Sequence, residues 1–368
     1  MKKLSIRNIL VPVDFSRISI QTIQIAKRLA HQFDASIHLA HVHHWQYPAD
    51  FVGPVLSSGF LPESFEEDRT RQLAEQLKTI ASKSGLSPRD KTRVRTGASP
   101  FHEICRLAQE ISADLIVIAT HGHTGLKHVL LGSTAERVVQ HSPCPVFVVR
   151  QRKRESKTGR AFTAHTILVP IDFSSCSREG LRYAIGFANQ LGAKLILLQA
   201  TYLGYIYSSE DTVLYDIPSL QEAARKNAER QMRKLVRSVP FGRVKFETVF
   251  TEGPPVLDIC AFAKDHDIDL IITSTHGLTG LQHVLIGSIA EKVVRHAPCS
   301  VLVVPSHPKI RAANLAKSGD RKARTQPKQQ PRRPSRGRVF TRKDRKLAGH
   351  AFPERRKTNK FRESHFNR

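Results

Sequence analysis

No stretch of this sequence is apolar for long. The longest runs, such as Ile9–Val13 and Leu115–Ala119, last only a few residues. A membrane-spanning helix needs roughly 20. At the amino end Asp14 closes the first run early, where a signal peptide would need roughly 7–15 apolar residues. No membrane partner and a cytoplasmic location are therefore expected. Cysteine is also sparse. There are five, with no CxxC pair, so neither a zinc ribbon nor a thioredoxin-like site is signalled. Acid is the scarcest charge, at 32 Asp and Glu against 58 Lys and Arg. The imbalance is concentrated in one place, because residues 306–368 hold 21 Lys and Arg against four acids, +17 of the net +26.

What the chain does have, it has twice. Residues 112–150 align without a gap on 267–305, and 24 of the 39 positions are identical. The starts correspond too, as ILVPVDFS at Ile9 and ILVPIDFS at Ile167. The offset falls from 158 to 155 residues along the repeat, so the second copy is three residues shorter in its middle. Copy one is read as residues 1–150, a basic polar linker as 151–164, copy two as 165–306, and a basic tail as 307–368. Cys105 and Cys144 recur as Cys260 and Cys299, while Cys176 has no counterpart. They are expected to be small buried hydrophobes in a reducing compartment.

Each copy alternates strand and helix patterns. In copy one, strands are predicted at 8–13, 36–42, 91–95, 115–119 and 146–149, with helices at 16–33, 63–84, 100–111 and 134–141. Ser16 stands where an N-cap belongs, and Gly192 is placed to close the first helix of copy two. Short, continuously apolar strands between helices imply a parallel sheet covered on both faces. The fold class is therefore α/β: two tandem doubly wound domains, each with a five-stranded parallel sheet flanked by helices, plus a disordered basic C-terminal tail. In such folds ligands bind beyond the carboxyl ends of the strands, where the winding direction switches. Asp14 follows the first strand and Thr120–Ser133 follows the fourth, so one crevice receives both if those strands are neighbours.

The stretch THGHTGLKHVLLGS at Thr120 returns as THGLTGLQHVLIGS at Thr275. Gly122 permits a sharp turn and close approach of a ligand to the backbone. Gly132 and Ser133 open a helix, whose amino end suits a phosphate. The same spacing also serves a plain turn followed by a helix start, and spacing alone does not separate the two. No lysine follows in the manner of a hydrolysing NTPase loop, and no GxGxxG fingerprint is present.

Taken together, VPVDFS, DLIVIATHG, nine residues, GS and AERVVQHSPCPVFVV resemble the universal stress protein family, over roughly residues 5–150 and 165–305. The resemblance implies ATP or another adenine nucleotide in the crevice, with or without Mg. It places phosphates at Gly122, Gly132 and Ser133 in copy one, and at Gly277, Gly287 and Ser288 in copy two. The family's first glycine is replaced by Ala119 and by Ser274. Asp14 and Asp172 match the acid beside the nucleoside, led in by Pro12 and Val13 and by Pro170. Val42 and Ala200 match the strand end whose backbone reads adenine. Thr134 adds a hydroxyl near phosphate, and its counterpart Ile289 does not, so copy one is the favoured site. The family's dimers imply that the two copies join as an internal pseudo-dimer through their fifth strands, Val146–Val149 and Val301–Val304, with a homodimer as a further arrangement.

Catalysis has little behind it, since no GxSxG elbow and no Cys–His pairing is evident. The chain is read as a nucleotide-binding sensor or regulator of the stress response rather than an enzyme, with slow ATP hydrolysis left open. His41, His43 and His44 carry donor nitrogens without a recognised metal spacing, and no metal site is assigned. The tail's low hydrophobicity and high charge predict disorder. It suits phosphate contacts to nucleic acid, so a nucleic-acid-associated stress factor and a nucleotide-free scaffold are the alternatives.

Overall fold

A computed structural model describes residues 4–44, 63–120, 131–150, 162–202, 217–275 and 287–305. Copy one runs β1 (Asn8–Pro12), α1 (Arg17–Phe33), β2 (Ser36–His44), α2 (Glu63–Lys83), β3 (Lys91–Gly97), α3 (Pro100–Glu110), β4 (Leu115–Ala119), α4 (Ser133–His141) and β5 (Val146–Val149). Copy two repeats the order with β6 (Thr166–Pro170), α5 (Ser175–Leu191), β7 (Lys194–Ala200), α6 (Ile217–Ser238), β8 (Phe246–Thr251), α7 (Pro255–Asp265), β9 (Leu270–Ser274), α8 (Ser288–His296) and β10 (Ser300–Val304). The predicted elements are all present. β2 and β3 each run two residues past their predicted ends, because each strand pairs with the other over that extra length.

The strands form one ten-stranded sheet in the order β3-β2-β1-β4-β5-β10-β9-β6-β7-β8. Within each copy every pairing is parallel. The copies meet where β5 and β10 pair antiparallel, Phe147 opposite Leu302. The expected pseudo-dimer through the fifth strands is thus present, and it fuses two five-stranded sheets into one. Side-chain alternation sends Ile9 and Val11 to one face, under α1, α2, α5 and α6. Leu10 goes to the other face, under α3, α4, α7 and α8.

Helix ends are secured locally. The Ser16 hydroxyl accepts from the Ser19 N–H, and Ser174 caps α5 in the same way from Ser177. Gly192 ends α5 at φ 70°, as its sequence position predicts. Copy one uses Asp34 there, at φ 54°. Across the junction the two-fold relation is visible in single contacts. Gln32 Nε2 donates to the Gln190 carbonyl at 2.6 Å, and Gln190 Nε2 donates back to that of Gln32 at 2.8 Å. Arg150 donates to the Arg295 carbonyl, capping the end of α8. Cys105, Cys144 and Cys299 are buried thiols, and burial pushes Cys144 up to about 12, the inert behaviour expected of packing residues.

Candidate functional site

The chain proceeds from β1 outward to β2 and β3, then returns to β4 on the other side of β1. β1 and β4 are neighbours, with Ile9 beside Leu115 and Leu10 beside Ile116. Their carboxyl ends therefore open on one crevice, and the switch point lies between them. Copy two builds the same crevice between β6 and β9.

Around the crevice of copy one, the backbone positions the chemistry. The Val13 N–H donates to the Ala40 carbonyl at 2.8 Å. Backbone groups of a strand alternate sides, so those of Val42 turn the same way as those of Ala40. β1 has ended by that level, so they face the crevice. After Val13 the chain turns sharply. Phe15 sits at φ 64°, and Phe173 does the same in copy two. A left-handed bulky residue costs about 1 kcal/mol or more and persists only where its surroundings enforce it. The enforcement is visible. The Asp14 carboxylate accepts the Ser16 N–H at 3.0 Å, and Asp172 accepts from the Ser174 N–H at 3.0 Å. The Phe15 ring stacks on His41 at 4.2 Å.

Pattern reading did not assign a role to Phe15 or His41. His41 Nδ1 lies 2.9 Å from the Val13 carbonyl oxygen. A carbonyl only accepts, so Nδ1 carries the proton. Burial lowers the His41 pKa, and the bond to Val13 opposes the shift. The ring is thereby a neutral brace between β2 and the turn. The one available signal was positional: a histidine whose place in copy two is taken by Gln199.

On the β4 side, Gly132 is tied back to the strand end, its N–H donating to the Thr120 carbonyl at 2.7 Å; Gly287 donates to Thr275 at 2.5 Å. The amide of Gly132 closes the loop, and the donors left for an anion are the next ones, in the first turn of α4. Gly132 is the N-cap and has no side-chain capping bond. Ser133 is exposed and Thr134 half-buried at that end. Gly122 and Gly277 lie outside the described residues. Among the described residues there is no group of three His, Cys, Asp or Glu side chains arranged for a metal ion.

Copy two differs at three of these points. The Gln199 amide donates to the Ala200 carbonyl at 3.1 Å, occupying the backbone group that corresponds to Val42. Ile289 is 43% exposed where copy one has Thr134. Ser274 replaces Ala119 and packs beside Gly180 of α5, where an added Cβ would be in ordinary contact, 3.6 Å from the Ser274 Cβ and backbone nitrogen. At Gly180's repeat position copy one has Thr22, buried. The small and larger residues thus stand at opposite members of the pair in the two copies.

This crevice, duplicated on a doubly wound sheet, defines the class: a tandem α/β protein with a switch-point crevice in each copy. A sequence model of the universal stress protein family matches residues 5–150 and 163–305, and the chain belongs to that family. It is 34% identical over 150 residues to a universal stress protein of Methanocaldococcus jannaschii, covering 40% of this chain and 85% of that one. A Mycolicibacterium smegmatis universal stress protein matches over 305 residues at 25% identity, 80% of this chain and 96% of its own. The crystal structure of an Archaeoglobus fulgidus universal stress protein superposes with a TM-score of 0.55 at 18% identity, covering 82% of this chain and 97% of that one, which supports the fold. Among the described residues no helix is long and apolar enough to cross a membrane.

Proposed function

We propose that this chain is a stress-response regulator that binds ATP or a related adenine nucleotide, with copy one as the working site. The observation that carries the reading is the convergence at one switch point of Asp14, the crevice-facing backbone of Val42 and the side-chain-uncapped amino end of α4. These suit, in turn, a ribose hydroxyl, the adenine edge and phosphate oxygens. Pro12, Val13, Ala119, Gly132, Ser133 and Thr134 form the walls between them, with Gly122 as the family's remaining glycine. Mg would enter as part of Mg-ATP. The corresponding set in copy two is Pro170, Asp172, Ala200, Gly287 and Ser288, with Gly277 as the family's glycine. It is the weaker site, because the Ala200 carbonyl is engaged and Ile289 supplies no hydroxyl.

The same reading makes the protein a binding protein rather than an enzyme, acting in the cytoplasm. It divides the chain into copy one (1–150), linker (151–164), copy two (165–306) and a basic tail (307–368). The test is to purify the chain natively, denature it and quantify released nucleotide, then repeat after dialysis against Mg-ATP. About one adenine nucleotide per chain supports the single-site reading. Two per chain would make copy two an equal site. None in either experiment would overturn nucleotide binding and leave the scaffold.

A further inference from the structure

The two outer edges of the ten-stranded sheet are built differently. At one end, β3 reads KTRVRTG, and Lys91, Arg93 and Arg95 are spaced two apart. Cations on an edge strand are a standard defence against unwanted strand pairing. At the other end, β8 reads FETVFT, a run of β-branched and aromatic residues with high strand propensity. Its one charge, Glu247, is held by Lys194 at 2.5 Å. β8 is the last strand in the sheet order, paired with β7 among the described residues.

The open side of β8 follows from its bonded side. The carbonyls of Lys245 and Thr251 accept from the Leu195 and Thr201 N–H groups of copy two, at 2.9 and 2.8 Å. Odd-numbered residues therefore turn toward β7. The N–H and C=O groups of Phe246, Thr248 and Phe250 point outward, as a template for another strand. Beside them runs a groove of about 340 Å³ between β8 and α6, with Met232, Val236, Phe246 and Phe250 as its apolar lining. Phe246 is held in place by Phe241, stacked at 3.9 Å.

The rim of that groove is cationic. α6 carries six Lys and Arg against two Glu. Glu229 is already shared by Arg225 and Arg233 at 3.3 and 3.6 Å. Arg237, on the groove, has no acidic partner among the described residues. We propose that the β8 edge of copy two is a docking strand for an extended segment of a partner protein, added to the sheet by backbone pairing. Its apolar side chains enter the groove and its flanking acids meet Arg233 and Arg237. Backbone bonds supply affinity in such an addition, and the alternate side chains supply selectivity.

The probe is a fluorescein-labelled peptide in which valine and threonine alternate between terminal pairs of glutamate, followed by anisotropy with the full chain at about 0.15 M salt, where long-range attraction is screened. A matched peptide carries lysine in place of glutamate. The glutamate peptide is expected to bind at least tenfold more tightly than the lysine peptide. Thr248→Pro removes an outward N–H and leaves the β7 ladder intact, a substitution edge strands accept. It should weaken binding at least tenfold with the melting temperature little changed. Thr92→Pro, on the opposite edge, should do nothing. Arg237→Glu keeps the test decisive if Thr248→Pro fails to fold, since it should weaken the glutamate peptide and strengthen the lysine one. The basic tail also attracts glutamate, but that attraction is blind to both substitutions. Equal binding of the two peptides, undiminished binding to both Thr248→Pro and Arg237→Glu, or no binding near 1 mM would overturn the proposal. So would a concentration-dependent dimer that Thr248→Pro abolishes and the peptide does not compete with, which would assign the edge to a second copy of the chain.

Discussion

Copy one and copy two trace the same path, down to the left-handed Phe15 and Phe173 that follow their crevice acids, yet they finish their crevices differently. In copy one a neutral histidine braces the turn through the Val13 carbonyl and leaves the Val42 backbone facing the cleft. In copy two a glutamine at the same place bonds the Ala200 carbonyl instead. Copy one has a hydroxyl at the start of α4, and copy two has an exposed isoleucine at the start of α8. The difference teaches that a repeat can hold its backbone constant while a few polar contacts at strand ends change which groups line the crevice. Thr22 and Ala119 in copy one stand where copy two has Gly180 and Ser274, a local difference within the same fold.

The junction that makes the two copies comparable should be the most sensitive point. Phe147 and Leu302 face each other at the centre of the antiparallel ladder and are both fully buried. Phe147→Ala should cost about 3–5 kcal/mol and Leu302→Ala about 2–5 kcal/mol, read as a shift of the urea midpoint. Next comes the crevice acid. Asp14→Ala and Asp172→Ala both lose the turn contact to the Ser16 or Ser174 N–H, and Asp172→Ala also loses the Ser174 hydroxyl bond at 2.6 Å, so each is a near control for the other. Hydrogen bonds to charged groups are worth about 1.5–3 kcal/mol. Asp14→Ala should therefore weaken nucleotide binding by about tenfold to a hundredfold in calorimetry, with Asp172→Ala near wild type. Equal effects would erase the functional asymmetry.

The compensating pair offers a packing test. Gly180→Thr should overpack Ser274 and cost about 1–2 kcal/mol. Adding Ser274→Ala, which recreates the copy-one combination, should recover most of it in a double-mutant cycle. A simple sum of the two single effects would show that the pair is not coupled. A smaller effect is expected from exchanging the residues that start the crevice helices. Thr134→Ile should lower affinity in copy one by about tenfold, roughly 1.4 kcal/mol. Ile289→Thr should raise uptake by copy two only if Gln199 is also replaced.

The last prediction vanishes at neutral pH. Burial, then Arg93 and Lys91, lower the pKa of His38, and burial leads the lowering for His41, where Asp14 opposes and His43 and Arg69 add to it. Their folded pKa values lie below the ordinary 6.5, so the unfolded chain binds more protons between the two values. Stability from this source is complete above pH 6.5 and declines as pH falls through the folded values. The double change His38→Ile and His41→Gln, which installs the copy-two residues, should flatten the acid limb of a stability–pH curve and leave the curve near pH 7.5 in place. An unchanged acid limb would mean other groups set it.

Much of this was legible before any coordinates. The strands, the helix caps at Ser16 and Gly192, the duplication and the acid-to-glycine spacing are local or periodic properties. A β-branched run between turn residues and a serine before an amphipathic stripe state their conformation wherever they occur. The pairing of the fifth strands was also expected, but through family resemblance rather than from the residues. Less legible were contacts between residues far apart in the chain. The Gly132 amide closes its own loop through the Thr120 carbonyl, and Ser274 packs beside Gly180, 94 positions away.

Sequence alone therefore determined the class of fold, the repeat and the residues that reach the switch points, because hydrophobic periodicity, turn chemistry and capping act over a few residues. Tertiary structure decided which way the backbone groups in each crevice face, what packs beside Ser274, and which strands end the sheet. Those outcomes depend on strand order, on which side each N–H and C=O faces and on which side chain arrives opposite, and none of these is written in any single stretch of the chain.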